Sequence, residues 1–262
     1  MITGQNHILN TLSLAEYERL FPHLERVELP LGNVIYEAGD ELRYAYFPTT
    51  CIVSLLNVME NGASTEIAAI GNDGVIGLSL FMGGGTMTNR AVVRCAGIAY
   101  RLRAHIFMQE LNRPKERGNG AMYNSLLCYT QALLTQVGQT AVCNRYHSLD
   151  RQLCRWILQS LDRLSSNQLS ITQELIANML GVRREGVTEA AGKLQRAGLI
   201  GYSRGLITVL DRSGLEARSC ECYQVVKAES DRLFSSHRSF RSPNLGKNPA
   251  NNGNWVNLNA GI

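Results

Sequence analysis

The chain changes its hydrophobic rhythm at Arg103. From Val27 to Leu102 it runs in short stretches rich in Val, Ile, Tyr and Thr, such as NVIYEAGD, YAYFP, CIVSLLNV, STEIAAIG and AVVRCAGIAYRL. Turn signals separate them about every 8–12 residues, a spacing that predicts strands closing into a small antiparallel sandwich or roll. Ahead of them, Ser13 and Glu16 have the spacing of a capping box and predict a helix through Leu20. Beyond Arg103 the pattern turns helical. HIFMQEL predicts a short helix stopped by Asn112-Arg113-Pro114, and from Gly120 to Tyr146 only Gly138 interrupts a long one. Met122, Leu126, Tyr129, Leu133, Gln136, Thr140 and Cys143 recur there at gaps of four and three, an imperfect heptad seam. Such a seam packs either on its own domain or on a partner helix. Apolar residues on several faces favour the partner, and hence self-association.

LDRQLCRWILQSLDRL predicts another amphipathic helix, with Leu153, Ile157 and Leu161 four apart, ended by Ser165-Ser166-Asn167. IANMLGVRREGVTEAAGKL then reads as two helices joined by a turn at Gly181-Val182. Ala177 is small where the first helix approaches the second, Gly181 supplies the positive φ that ends the first, and Val187 returns to the shared core, followed by Ala190, Ala191 and Leu194. This is helix-turn-helix spacing. Ser203-Arg204-Gly205 predicts a hairpin turn between two short strands, which makes the motif winged. Leu215, Cys222, Val226 and Leu233 mark one last helix, and the Ser-, Asn-, Gly- and Pro-rich segment 235–262 reads as a disordered tail. The expected fold class is therefore α+β: an N-terminal antiparallel, jelly-roll-like β-roll (1–115), a long dimerisation helix (116–146), a C-terminal winged helix-turn-helix with an extra helix (147–234), and the tail.

Charge gives this arrangement a direction. Residues 1–100 hold five arginines, no lysine and ten acids, a net of −5, whereas the remainder holds 21 basic and 12 acidic residues, a net of +9. The basic half suits a polyanion. Arg183, Arg184 and Glu185 fall in the first turn of the second helix, with Thr188 and Glu189 one turn on. A solvated helix start would also be charged, but these side chains are those that read base edges: arginine bonds guanine O6 and N7, and glutamate accepts from cytosine N4.

Other chemistries find less support. The seven cysteines, at 51, 95, 128, 143, 154, 220 and 222, have no C-x-x-C spacing and form no Cys/His cluster along the chain. They read as free thiols in a reducing cytoplasm and predict no zinc or iron–sulfur site. Cys220 and Cys222, placed on one helix, would point different ways. The five histidines are scattered, FMGGGTMTNR lacks the Gly-Lys-Ser/Thr of a P-loop, and no apolar run approaches the ~20 residues of a membrane span. Catalysis and membrane association are not expected.

TQELIANMLGVRREGVTEAAGKLQRAGLI resembles the Crp/Fnr family of bacterial transcription regulators, and the resemblance covers about residues 15–234. It implies a cyclic-nucleotide-binding-type β-roll, a long dimerisation helix and a winged helix-turn-helix. Arg184 and Glu185 match the family's recognition-helix Arg-Glu pair. Glu189 stands where cyclic-AMP-responsive members carry arginine, and Arg204 matches a wing contact to phosphate. DGVIGLSLFMGGGTMTNRAVV resembles the phosphate-binding cassette, which makes Gly77, Gly84 and Arg90 candidate effector contacts. Leu78 replaces the cassette's ribose-binding glutamate and Val137-Gly138 replaces its base-binding Thr-Ser, so cyclic AMP is not the expected effector. The implied function is a homodimeric regulator binding a two-fold symmetric DNA site, with RNA polymerase as a further partner, no cofactor and an unidentified small-molecule effector. The alternative is a ligand- or protein-binding module that does not touch DNA.

Overall fold

The computed structural model describes residues 6–114 and 120–239. Two short helices, α1 (His7–Asn10) and α2 (Leu14–Leu20), lead into the strands. Asn6 caps α1 by accepting from the N–H groups of Ile8 and Leu9. Ser13 and Glu16 cap α2 reciprocally, as their spacing predicts. Seven strands follow: β1 (Glu25–Leu29), β2 (Val34–Tyr36), β3 (Tyr44–Pro48), β4 (Ile52–Val58), β5 (Ser64–Ile70), β6 (Arg90–Cys95) and β7 (Gly97–Arg103), with α3 (Leu78–Met82) between β5 and β6. They form two antiparallel sheets, ordered β1-β7-β3 and β2-β6-β4-β5. The expected roll is present.

Helices α4 (Ala104–Leu111) and α5 (Ala121–Tyr146) close this unit. Phe47, Ile70, Val93, Leu102 and Phe107 share one core with Met122, Leu126 and Tyr129 of α5. Gly74 permits the closest approach, because a Cβ there would lie 2.3 Å from the Tyr129 ring. The predicted heptad seam is thus used inside the chain. Met122, Leu126, Tyr129, Gln136, Thr140 and Cys143 are buried within the chain, and Leu133 packs against the β-roll core. This corrects the expectation that the seam meets a partner. Periodicity identifies residues sharing a face but carries no information about what covers it. On the opposite face of α5, Leu127, Leu134 and Val142 stand 48%, 68% and 47% exposed, alongside Gly138 and Ala141.

The C-terminal part contains α6 (Leu149–Leu161), β8 (Gln168–Ser170), α7 (Gln173–Leu180), α8 (Arg184–Arg196), β9 (Ile200–Ser203), β10 (Leu206–Val209), α9 (Arg212–Arg218) and α10 (Glu221–Ser239). Trp156, Ile157, Ile176, Val187, Leu194, Ile207, Leu215 and Tyr223 build its core, which also takes in Leu56 from β4. The wing has three strands, β8-β10-β9, one more than the sequence predicts. The single last helix expected is two. Ser219 adopts φ −67°, ψ 167°, which breaks the helical path between α9 and α10. Residues 235–239, expected in the tail, continue α10, and residues 240–262 lie outside the described residues.

The two parts meet at a buried ion pair. Arg94 on β6 is fully enclosed, and its Nη1 lies 2.7 and 2.8 Å from the carboxylate oxygens of Glu66 on β5. Two α6 side chains one turn apart complete the site: Trp156 Nε1 donates to Glu66 at 3.1 Å, and Ser160 Oγ accepts from Arg94 Nη2 at 2.8 Å. The guanidinium also lies 4.4 Å from the Trp156 ring centroid, and Ser54 on β4 donates to the Glu66 carboxylate. Removing one partner leaves the other charge buried and uncompensated, which costs about 3–5 kcal/mol. Glu66→Ala is expected to lower the denaturant-derived stability by that amount, and Glu66→Ala/Arg94→Met to recover much of it.

Candidate nucleic-acid interface

Helix α7 begins where Thr172 Oγ1 accepts from the Leu175 N–H at 3.2 Å. It ends at Gly181, whose φ of 65° is left-handed and whose N–H returns to the Ala177 carbonyl. A helix can end this way cheaply only at glycine. A Cβ on Gly181 would lie 3.2 Å from Thr65 Oγ1, so the turn is also pressed against the edge of β5. Thr65 Oγ1 in addition donates to the Met179 carbonyl at 3.4 Å. The predicted packing set is gathered as spacing requires: Ala177, Val187, Ala190, Ala191 and Leu194 are all buried where α7 and α8 meet.

Arg183 is the N-cap residue of α8 and Arg184 opens it. Arg183, Arg184, Glu185, Thr188 and Glu189 are all exposed, and among the described residues no carboxylate pairs with Arg183, Arg184 or Arg204. Thr188 is held rather than free: its hydroxyl lies 2.7 Å from Gln173 Oε1 on α7 and 3.1 Å from the Arg184 carbonyl. Glu189 pairs with Lys193 one turn on, at 2.9 Å, and this ammonium keeps its carboxyl below the usual range. Gln173 escapes a reading of the sequence because its contact with Thr188 spans 15 residues, whereas the i,i+4 spacing of Glu189 and Lys193 is a signal that could have found that pair. Arg204 and Gly205 form the two-residue link between β9 and β10, with φ of 50° and 76°. Positive φ at both centres matches the twist of a tight hairpin and projects Arg204 at the wing tip. Gln195 Nε2 donates to the Tyr202 carbonyl at 3.2 Å, tying α8 to the wing.

Residues 26–113 match the family model for the cyclic nucleotide-binding domain, and residues 151–218 match that for the Crp-like helix-turn-helix domain. Together they span more than half of the chain. The chain belongs to the Crp/Fnr family. Solved structures of similar fold include FixK2 from Bradyrhizobium japonicum, 15% identical with a TM-score of 0.61 over 75% of this chain and 98% of that one. A Crp/Fnr-family transcriptional regulator of Thermus thermophilus is 22% identical with a TM-score of 0.56, over 74% and 98%. The c-di-GMP-responsive global regulator CLP of Xanthomonas campestris is 18% identical with a TM-score of 0.56, over 73% and 96%. No curated protein matches the chain.

Residues Gly77, Gly84 and Arg90 of this Crp/Fnr chain lie within the part that matches the cyclic nucleotide-binding domain. Gly77 caps α3 at φ 96°, and Gly84 donates its N–H to the Ser79 carbonyl at 2.9 Å. Arg90 lies 3.2 Å from Glu37 and is partly exposed, so a carboxylate of the same chain already serves as its counter-ion. Leu78 is a buried core residue. Among the described residues no helix is long and apolar enough to cross a membrane.

A cysteine/histidine cluster corrects one expectation from sequence. Cys143 and His147 at the end of α5 meet Cys220 and Cys222 at the start of α10, with one ligand atom from each within 4.8 Å of the others. The pairs lie 77 and 75 residues apart, so linear spacing could not reveal them.

Proposed function

We propose that the chain is a homodimeric transcription regulator that reads a two-fold symmetric DNA site with the N-terminal turn of α8. The observation that carries this reading is the pair of uncompensated arginines, Arg183 and Arg184, set at the solvent-facing start of a helix whose opposite face is locked into the core. A bidentate guanidinium suits guanine in the major groove, while Arg204 at the wing tip suits a phosphate. Glu185, Thr188 and Glu189 complete the reading surface. Glu189 must exchange its Lys193 partner to meet a base. A protein-binding module would leave both arginines without a counterpart. We take residues 1–115 as the sensor, 116–146 as the dimerisation helix and 147–234 as the DNA-binding part. RNA polymerase is the partner on which such a regulator acts, in the cytoplasm.

The surface that joins two copies, in this reading, is the exposed stripe Leu127, Leu134, Gly138, Ala141 and Val142 on α5, opposite the buried seam. The effector is not cyclic AMP: Glu37 competes for Arg90, and Leu78 offers no acceptor to a ribose. Gly77, Gly84 and Arg90 are left as the anion-binding elements of an unidentified effector site.

Arg184→Ala should cost about 1–3 kcal/mol of specific binding and relax one symmetric base position, whereas Arg204→Ala should weaken all sequences alike and flatten the salt dependence. Equal losses on specific and random duplexes for both variants would count against the assignment. Leu134→Asp should sediment as a folded monomer that binds DNA poorly, while Leu133→Asp should instead lose thermal stability; a dimeric Leu134→Asp would sink the stripe. A ligand at 100 times its Kd raises stability by about 2.7 kcal/mol. Cyclic AMP is expected to leave the melting temperature unchanged, and a rise abolished by Arg90→Ala would overturn this view of the cassette.

A further inference from the structure

Three of the seven cysteines form a small buried cluster of their own, Cys143, Cys220 and Cys222, detached from both aliphatic cores. As small apolar residues, cysteines could be buried anywhere. Burial alone does not explain why three sulfurs converge on one imidazole. Cys143 Sγ lies 3.5 Å from Cys220 Sγ, and Cys222 Sγ lies 3.6 Å from His147 Nδ1. A tetrahedral zinc with Zn–S near 2.3 Å and Zn–N near 2.0–2.1 Å has ligand–ligand edges of roughly 3.5–3.8 Å. We propose that Cys143, His147, Cys220 and Cys222 are a structural zinc site that clamps the end of α5 to the start of α10.

The local backbone is built for it. Cys143 and His147 are four apart at the C-terminus of α5, so they share a face. Cys220 precedes α10 and follows the extended Ser219, which turns its sulfur toward the same point as that of Cys222. The surroundings supply what zinc ligands need. His147 Nε2, the nitrogen turned away from the sulfurs, lies 3.2 Å from Glu221 Oε1, so a carboxylate fixes the tautomer that leaves Nδ1 free to bind metal. Gln152 Nε2 donates to the carbonyls of Cys143 and His147 at 3.3 and 2.8 Å, holding the end of α5 in place.

A charge argument points the same way. Arg155 is buried and bonds only to the neutral side chains of Thr140 and Gln159, its Nε has no partner, and among the described residues no carboxylate pairs with it. It lies close enough to act electrostatically on Cys143 and Cys222. Zn²⁺ with three thiolates and a neutral imidazole carries a net charge of −1, the counter-charge this guanidinium lacks. On binding, the three cysteines give up to three thiol protons to solvent as the Zn–S bonds form. Three sulfurs and one nitrogen close the coordination sphere, so the site is structural and leaves no position for a substrate. Its place gives it a consequence. The chain between the two ligand pairs, residues 148–219, carries the helix-turn-helix and the wing, so the metal would tether both ends of the DNA-binding part to the long helix.

The test is cobalt substitution in the full chain, reduced and stripped with a chelator. Co²⁺ should bind at one equivalent per chain, with the visible bands and near-ultraviolet charge transfer of a tetrahedral thiolate site, and one equivalent of Zn²⁺ should abolish them. Cys222→Ser should lose the spectrum, His147→Cys should keep it in shifted form, and Cys51→Ser, altered in the β-roll, should leave it unchanged. No tetrahedral spectrum from the wild-type chain would overturn the site, whatever the variants do. So would a spectrum that survives in Cys222→Ser, or a stripped chain that takes up no Co²⁺ but forms a Cys143–Cys220 disulfide in air.

Discussion

The Glu66–Arg94 ion pair is the constraint around which the rest of the molecule is arranged. Two full charges taken out of water are tolerated only when nearly every donor and acceptor is met, and here the partners come from both halves of the chain. Ser54, Glu66 and Arg94 lie on three neighbouring strands, while Trp156 and Ser160 reach down from α6. Helix α6 therefore cannot slide or lift without breaking the Trp156 and Ser160 hydrogen bonds and uncovering the ion pair. Because α6 is fixed, so are the elements packed on it. The α7–α8 turn rests on Thr65 of β5, and Arg163 pairs with Asp73 at 2.7 Å just beyond the same strand. One edge of the β2-β6-β4-β5 sheet thus sets the position of the helix that carries Arg183 and Arg184.

A single strand carries two of these contacts. Strand β5 contributes Glu66 to the ion pair and Thr65 to the helix-turn-helix turn, so a displacement of β5 acts on both contacts together. On the other side of the DNA-binding part, the cluster at Cys143, His147, Cys220 and Cys222 holds its two ends near the end of α5. The reading head is fixed at its base by charge and at its ends by sulfur and imidazole. Its tip, with Arg184 and Arg204, is left exposed.

Much of this is legible in the sequence, and what escapes it shares a cause. Ser13 and Glu16, the Gly181 turn and the Arg204-Gly205 hairpin lie within a few residues of their partners, so their chemistry is written locally. The strands of the roll and the amphipathic face of α6 follow from periodicity. Contacts across long separations lie beyond its reach. Glu66 and Arg94 are 28 residues apart, and Trp156 is 90 from Glu66. The seam on α5 is visible as a face but points to the wrong neighbour, because Leu127, Leu134 and Val142 form a second apolar stripe on the other side. The cysteine cluster is hidden for a similar reason: a pattern that puts Cys220 on the last helix splays it from Cys222, whereas that helix begins one residue later.

Selection from a random duplex library with the purified full chain reads the base preference of α8 and its symmetry directly. Two copies of α8 in a dimer should enrich a two-fold symmetric site whose half-sites lie about one helical turn, ~34 Å, apart. Recovery of no sequence above the random background, or of a site without two-fold symmetry, would contradict the proposed homodimeric regulator.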